Sequence, residues 1–428
     1  MDTHASDARP PITIAVVGAG NRGRAYARWA AASGKARIVA VADPDPARQK
    51  SLGDEAGVPA DRLFDGWQEL AAVPRVADAA VIATQDTLHV EPSEALARAG
   101  YHILLEKPMA TTEQGAQRIL AAVRQAGVRL AVCHVLRYMP YTQALRRIID
   151  SGQIGEIVSV EHLEPVGWWH QAHSYVRGNW RREADSSPML LAKSVHDLDW
   201  LNHMIGRRPA RVASFGSLHH FRPEQRPTGA ADNCLDCPIE SSCPYSAPRL
   251  YLSCLGDPAW EDWPLSTVTD ARTPAGVLDA LRTGPYGRCV YDCDNDVVDH
   301  QVVSIEYEGG VTASFTMTAF TPHMFRQTRI FGTHGYLEGD GKQISLLDFR
   351  TRDRHVITTT TGDDATAAGG HGGGDKALVD AFVDAVAAGG TSPTLASPED
   401  SYASHRLVWA AERARTTGSV VDLSTDHT

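Results

Sequence analysis

The chain has 428 residues, a length that at about 150 residues per domain predicts two or three domains. Its 41 Lys and Arg against 52 Asp and Glu leave a net charge of −11, and 43% hydrophobic with 22% charged residues is globular composition with a sizeable core. An acidic chain without a basic block is poorly suited to nucleic acid, and no apolar run nears the roughly 20 residues that span a bilayer. The opening MDTHASDARPP lacks the basic start and apolar core of a secretory signal, so a cytoplasmic chain is expected.

In chain order, residues 12–17, 38–42, 79–84, 103–105 and 130–135 are near-continuous apolar runs. Segments 24–32, 91–99 and 112–126 between them carry apolar residues at helical spacing. Strands apolar on both faces belong to a sheet covered on both sides, and strand–helix alternation makes it parallel and doubly wound. After residue 135 a helix at 141–149 leads into a partly alternating strand at 156–164, then a helix at 189–204 and a strand at 212–218. Residues 221–295, rich in Pro, Cys, Gly and Asp, read as an insertion of turns and short helices. Strands at 302–307, 311–320, 329–335 and 344–348 follow without intervening helices, joined by tight turns such as Glu308-Gly309-Gly310, which indicates an antiparallel sheet. A Gly/Ala/Asp linker at 362–374 and helices at 376–388 and 401–415 finish the chain.

Gly18-Ala19-Gly20-Asn21-Arg22-Gly23 joins the first strand to the first helix. The first glycine permits the tight turn, the second lets backbone approach a pyrophosphate, and the third lets helix and strand pack closely. The helix N-terminus adds N–H groups and positive potential. Asp43 ends the next strand, placed to accept from both ribose hydroxyls and to repel a 2′-phosphate; Pro44, not Arg, follows it, which favours NAD over NADP. The competing reading is a glycine-rich turn in an unliganded α/β domain. The fold class expected is α/β: a Rossmann domain over 1–135, an α+β domain over 136–375 carrying the 221–295 insertion, and C-terminal helices over 376–428 packing back on the domains.

Ala83-Thr84, Glu106-Lys107-Pro108 at a strand end and the helix containing His196 resemble the Gfo/Idh/MocA family, which includes glucose–fructose oxidoreductase and inositol dehydrogenase. The resemblance covers nearly the whole chain except the cysteine-rich insertion. It implies that Lys107 reaches toward nicotinamide and substrate and that Pro108 follows a cis bond. Thr84, His89, Glu106 and Lys107 thereby join Gly18, Gly20, Asn21, Arg22, Gly23 and Asp43 in the cofactor set. It also implies an open, mostly antiparallel second sheet that builds homodimers or homotetramers. Carbinol oxidation needs a group to take the hydroxyl proton as hydride leaves, and a Lys near a cationic nicotinamide suits that task. The bland alternative is that Lys107 only pairs with Glu106 or another carboxylate.

Relatives place an Asp one helical turn before the catalytic His; here that position is Ala192. His196 therefore lacks its expected carboxylate, and Lys193 adds a cation beside it. Asp197 lies about 100° round a helix from His196, with Asp199 nearer the same face. Lys107 and His196 are the acid/base candidates, Lys193 is a substrate contact, and a core histidine is the competing reading of His196. The run Trp168, Trp169, His170, His173, Tyr175, Arg177, Trp180 and Arg181 offers aromatic faces and donors that suit a sugar or, through Arg, an anionic group. Tryptophans that merely cover the domain junction are the competing reading. Arg137 and Tyr138 stand where relatives contact substrate, with His134 beside them.

Six of the seven cysteines crowd one stretch: Cys234-x2-Cys237-x5-Cys243, Cys254 and Cys289-x3-Cys293. In a reducing compartment this favours metal ligation or free thiols over disulfides. The preferred structural zinc set is Cys234, Cys237, Cys243 and Cys293, with Cys254 or Cys289 as replacements. An iron–sulfur cluster would use the same ligand type, and free thiols remain open. Asp294, Asp296, Asp299 and His300 form an acidic run read as a solvated turn or a source of the missing carboxylate. The function expected is NAD-dependent oxidation of a secondary alcohol of a sugar, polyol or cyclitol by hydride transfer. The alternatives are a redox-assisted glycoside hydrolase or lyase, which needs an extra base, and a non-catalytic dinucleotide sensor.

Overall fold

The computed structural model describes residues 10–359, 371–389 and 395–424. Six strands, β1 (Ile12–Val17), β2 (Ala36–Ala42), β3 (Leu63–Phe64), β4 (Ala79–Ile82), β5 (His102–Leu105) and β6 (Leu130–Val132), form a parallel sheet in the order β3-β2-β1-β4-β5-β6. The order reverses between β1 and β4, the switch point beyond whose strand ends such sheets bind ligands. Val16, Ala80, Ile82, Ile103 and Leu105 are inaccessible, as strands covered on both faces require. The helix Glu113–Ala126 shows how the covering layer is encoded. Thr112 caps it by accepting the Gly115 N–H at 3.1 Å, Gly127 ends it in left-handed geometry, and Ala116, Ile119, Leu120 and Val123 form its buried stripe. Fully burying an aliphatic side chain of this kind contributes about 1.5–3 kcal/mol. Two-residue β3 and the helices Pro46–Ala56 and Trp67–Ala72 were not anticipated, β3 being too short to carry a period.

A second sheet has nine strands: β7 (Ile157–Pro165), β8 (Pro209–Ser217), β9 (His300–Tyr307), β10 (Thr312–Thr318), β11 (Gln327–Gly332), β12 (Gly335–Gly339), β13 (Gln343–Asp348), β14 (Arg354–Thr358) and β15 (Val421–Asp422). Their order is β14-β13-β12-β11-β7-β10-β9-β8-β15, antiparallel except for the parallel pair β7 and β10. The strand expected over 329–335 divides into β11 and β12, because the Thr333 and His334 N–H groups turn to the carbonyls of Glu156 and Ile154. On β7, Val160, His162 and Glu164 face inward at alternate positions. The helix expected over 189–204 is two, Met189–Ala192 and Val195–Ile205, separated where Ser194 leaves helical geometry (φ −108°, ψ 9°).

The insertion is indeed turns and short helices, but it carries its own cores. Phe221, Tyr245, Cys289, Val290 and Tyr291 pack around Val176, and Tyr251, Cys254, Leu265, Val277 and Leu281 form a separate cluster. Contacts divide the chain into two compact units, Met1–Tyr138 with Gly374–Ala403 and Met139–Gly373 with Ser404–Thr428. In the first, the helix Gly374–Ala388 packs on the helix Asn21–Ala32 and the turn Val135–Tyr138; in the second, β15 closes against β8. Most of the linker expected at 362–374 lies outside the described residues. Among the described residues no helix is long and apolar enough to cross a membrane.

Candidate active site

In the first unit the glycine turn has the shape a pyrophosphate needs. Gly18 has φ 91°, and a Cβ there would sit 2.6 Å from the Ala83 carbonyl oxygen; a Cβ on Gly23 would collide with the Gly18 carbonyl. Gly20 faces open space at the start of the helix, followed by exposed Asn21. Asp43 is buried at the end of β2, where Oδ2 accepts the Ala19 N–H at 2.6 Å and Oδ1 accepts the Asp45 N–H at 2.8 Å. A carboxylate has about four acceptor positions, so both oxygens retain capacity for hydroxyl donors.

Arg22 departs from its expected role. Its Nε donates to Glu106 Oε1 at 2.5 Å, and Nη2 pairs with Asp375 and donates to the Tyr26 hydroxyl, which donates in turn to Glu106 at 2.9 Å. Nη1 is buried without a partner, a donor left for an anionic guest. Burial alone would raise the Glu106 carboxyl; the charges of Arg22 and Lys107 and the bonds from Arg22 and Tyr26 bring it below the usual carboxylate range. Glu106 Oε2 accepts the backbone N–H of Lys107 at 2.6 Å, and the Lys107–Pro108 bond is cis. His89, inaccessible, sets Nδ1 2.6 Å from the Pro108 carbonyl and Nε2 3.2 Å from that of Thr84. His89 thus braces the Lys107 loop. Thr84 donates its hydroxyl to the Leu88 carbonyl at 3.1 Å. Arg137 and Tyr138 are buried in the turn Val135–Tyr138, the Tyr138 hydroxyl accepting the Ala396 N–H at 3.2 Å.

In the second unit His196 is 4% exposed, its ring 5.8 Å from that of His371. The helix break leaves Ala192 and His196 on different segments. Lys193 Nζ instead meets Glu164 Oε1 at 3.1 Å. Arg326 Nε bridges Glu164 Oε2 at 2.6 Å and Asp197 Oδ1 at 2.9 Å, and His162 Nε2 lies 3.2 Å from Asp197 Oδ1. Burial would raise the Asp197 carboxyl, but Arg326 and His162 hold it well below the usual carboxylate range. Asp199 accepts from the Ser404 hydroxyl at 2.9 Å.

The aromatic run divides in two. Trp169 packs against Trp260, Trp263 and His323, and His170 meets Trp263 edge-on at 4.9 Å. Burial, then the charge of Lys193, pushes the His170 imidazole well below its ordinary range, so it is neutral. Tyr175 is buried within 5.9 Å of His170, and Trp180 is partly exposed. His173 and Arg177 turn the other way. His173 bonds Tyr251 at 2.8 Å and Thr267 at 3.1 Å, and Arg177 donates to the carbonyls of Arg288 and Tyr245. Both are structural anchors for the insertion, where the sequence suggested substrate contacts. The acidic run is equally engaged: Asp294 pairs with Arg181 and Arg288, Asp296 accepts the Glu183 N–H, and Asp299 accepts the His219 and His220 N–H groups.

The zinc set is not formed. Among the described residues no three His, Cys, Asp or Glu side chains stand where one ion could bind, and the Cys293 thiol donates to the Cys289 carbonyl at 3.2 Å.

Profiles described as an oxidoreductase family NAD-binding Rossmann fold and an oxidoreductase family C-terminal alpha/beta domain match residues 12–134 and 146–423. The chain belongs to the Gfo/Idh/MocA family. Residues 12–134 are that family's NAD-binding domain. A putative oxidoreductase YteT of Bacillus subtilis is 27% identical over 71% of this chain and 70% of its own length. The 2,7-anhydro-N-acetylneuraminate hydratase of Escherichia coli is 28% identical over 50% of this chain, and the inositol 2-dehydrogenase of Rhizobium meliloti 28% over 48%. This chain spans only 55% and 59% of those two proteins. Levoglucosan dehydrogenase with NADH and L-sorbose superimposes with a TM-score of 0.70 at 20% identity, over 97% of this chain and 99% of that one, a likeness of fold.

Glu164, Arg326, His162 and His323 escaped the sequence reading. The one available signal was on β7, where His162 and Glu164 occupy the register of an inward apolar face.

Proposed function

We propose that this family member is an NAD-dependent oxidoreductase acting on a secondary alcohol of a sugar, polyol or cyclitol. The observation that carries the reading is the bracing of Lys107: its N–H on Glu106, Glu106 on Arg22 and Tyr26, and its cis-proline loop on His89. Such construction holds one side chain to a working geometry. Bound NAD supplies the hydride acceptor. Lys107 takes the hydroxyl proton, with His196 as the second acid/base group; Asp43 receives the adenosine ribose and disfavours a 2′-phosphate. Lys193, oriented by Glu164, and the Trp169–His170 wall bind the hydroxylated substrate. The pleated face that leaves Phe215, Val302 and Val158 exposed supports assembly into homodimers or homotetramers. Mixing the protein with NAD and a panel of sugars, polyols and cyclitols, and following NADH absorbance with product identification, tests the reading. Turnover of none of them, with NAD bound, removes it.

A second reading is a redox-assisted lyase, hydratase or glycosidase. In it the neutral, buried His170 imidazole in the wall beside Trp169 is a hydrogen-bonding contact to substrate, and Lys107 and His196 carry the proton transfers. A relative named as a hydratase keeps this reading in play. Bond cleavage or hydration with only catalytic NAD would select it.

A further inference from the structure

Six cysteines crowd the insertion, yet the fold sorts them. Cys254 is buried in the second small core and donates to the Leu250 carbonyl at 3.3 Å, and Cys293 is turned to the Cys289 carbonyl. The other four, Cys234, Cys237, Cys243 and Cys289, line a single cavity of about 150 Å³. Arg177 lines it too, 1% exposed. Its Nε donates to the Arg288 carbonyl at 2.8 Å; Nη2 donates to the Tyr245 carbonyl at 2.9 Å and to Cys234 Sγ at 3.4 Å; Nη1 has no partner. Among the described residues no carboxylate forms an ion pair with this guanidinium. Glu240, also in the lining, accepts from the Ser246 hydroxyl instead.

A buried cation without a counter-charge is unfavourable, and thiolates would supply the missing anion. A lone zinc needs its sulfurs about 2.3 Å from one point, an arrangement that no three ligand-type side chains form among the described residues. The cavity is several times the roughly 30 Å³ share of one water, which is room for a guest of several atoms.

We propose that this cavity holds an iron–sulfur cluster ligated by Cys234, Cys237, Cys243 and Cys289, with Arg177 donating to the Cys234 sulfur. Ligation releases the four thiol protons and joins the 234–243 loop to Cys289. Arg177 ends the turn Gln171–Arg177 that carries Tyr175, so the cluster also fixes the substrate wall to the insertion. This inference is independent of which alcohol is oxidised.

The test is anaerobic purification of the full chain and reconstitution with ferrous iron and sulfide, followed by iron, zinc and acid-labile sulfide analysis and visible absorption. Iron and sulfide in matching amounts are expected, lost in Cys289→Ser and retained in Cys293→Ser and Cys254→Ser. Arg177→Lys keeps the iron but shifts the reduction potential, a readout that stands even if Cys289→Ser fails to fold. One zinc per chain without sulfide, no metal after reconstitution, loss of iron in Cys293→Ser rather than Cys289→Ser, or an unmoved potential in Arg177→Lys would overturn it.

Discussion

Each unit builds a lysine beside a buried carboxylate whose charge is shared by an arginine, and the two arrangements differ in what the carboxylate holds. In the first, Arg22 spans Glu106 and Asp375, and Glu106 grips the backbone N–H of Lys107. In the second, Arg326 spans Glu164 and Asp197, and Glu164 takes the ammonium of Lys193 itself. A carboxylate on the backbone fixes where a lysine starts; one on the ammonium fixes where its charge ends. The first arrangement suits a proton-transferring group, the second a stationary charge against substrate hydroxyls.

The comparison breaks most sharply at Lys107. Lys107→Ala is expected to lower kcat by about 10²–10⁴, with NAD affinity, followed by fluorescence titration, reduced far less than kcat. The Lys193→Gln variant should instead raise KM more than it lowers kcat, and equal losses in both variants would erase the distinction. Next, Arg326→Ala leaves buried Glu164 with Lys193 alone and buried Asp197 with His162 alone, and urea unfolding should show a loss of up to about 3–5 kcal/mol. Asp43→Ala removes a charged acceptor worth about 1.5–3 kcal/mol, so the KM for NAD rises roughly ten- to a hundredfold while discrimination against NADP fades. The smallest effect concerns pH. Burial, then the Arg177 charge, lowers the His173 imidazole from its ordinary 6.5 to about 3. The unfolded chain takes up that proton first, so stability falls as pH drops from about 6.5 toward 3. Urea midpoints on either side of about pH 6.5 should show the decline, lessened in His173→Asn.

The same contrast explains what could be read from sequence. The cofactor cradle is local: Gly18, Gly20 and Gly23 sit in one turn and Asp43 closes the next strand, so spacing and strand–helix context locate them, while the contiguous Glu106-Lys107-Pro108 is located by its family resemblance. The partners that define those residues are distant. Asp375 meets Arg22 across 353 positions, and no pattern in either segment announces it. In the second unit Lys193, Glu164 and Arg326 come from a helix break, β7 and the segment before β11, and only the fold assembles them. His173 and Arg177 misled because their residue types suit a sugar as well as they suit an insertion's anchor. The zinc set failed at Cys293 because sequence spacing cannot tell which way a thiol turns.

The most direct test of the central claim is NMR of the protein with NAD and a panel of sugars, cyclitols and glycosides in D2O. The account predicts a ketone formed with stoichiometric NADH and abolished in Lys107→Ala. Bond cleavage with only catalytic NAD and deuterium beside the oxidised carbon, or undiminished ketone formation in Lys107→Ala, would contradict it.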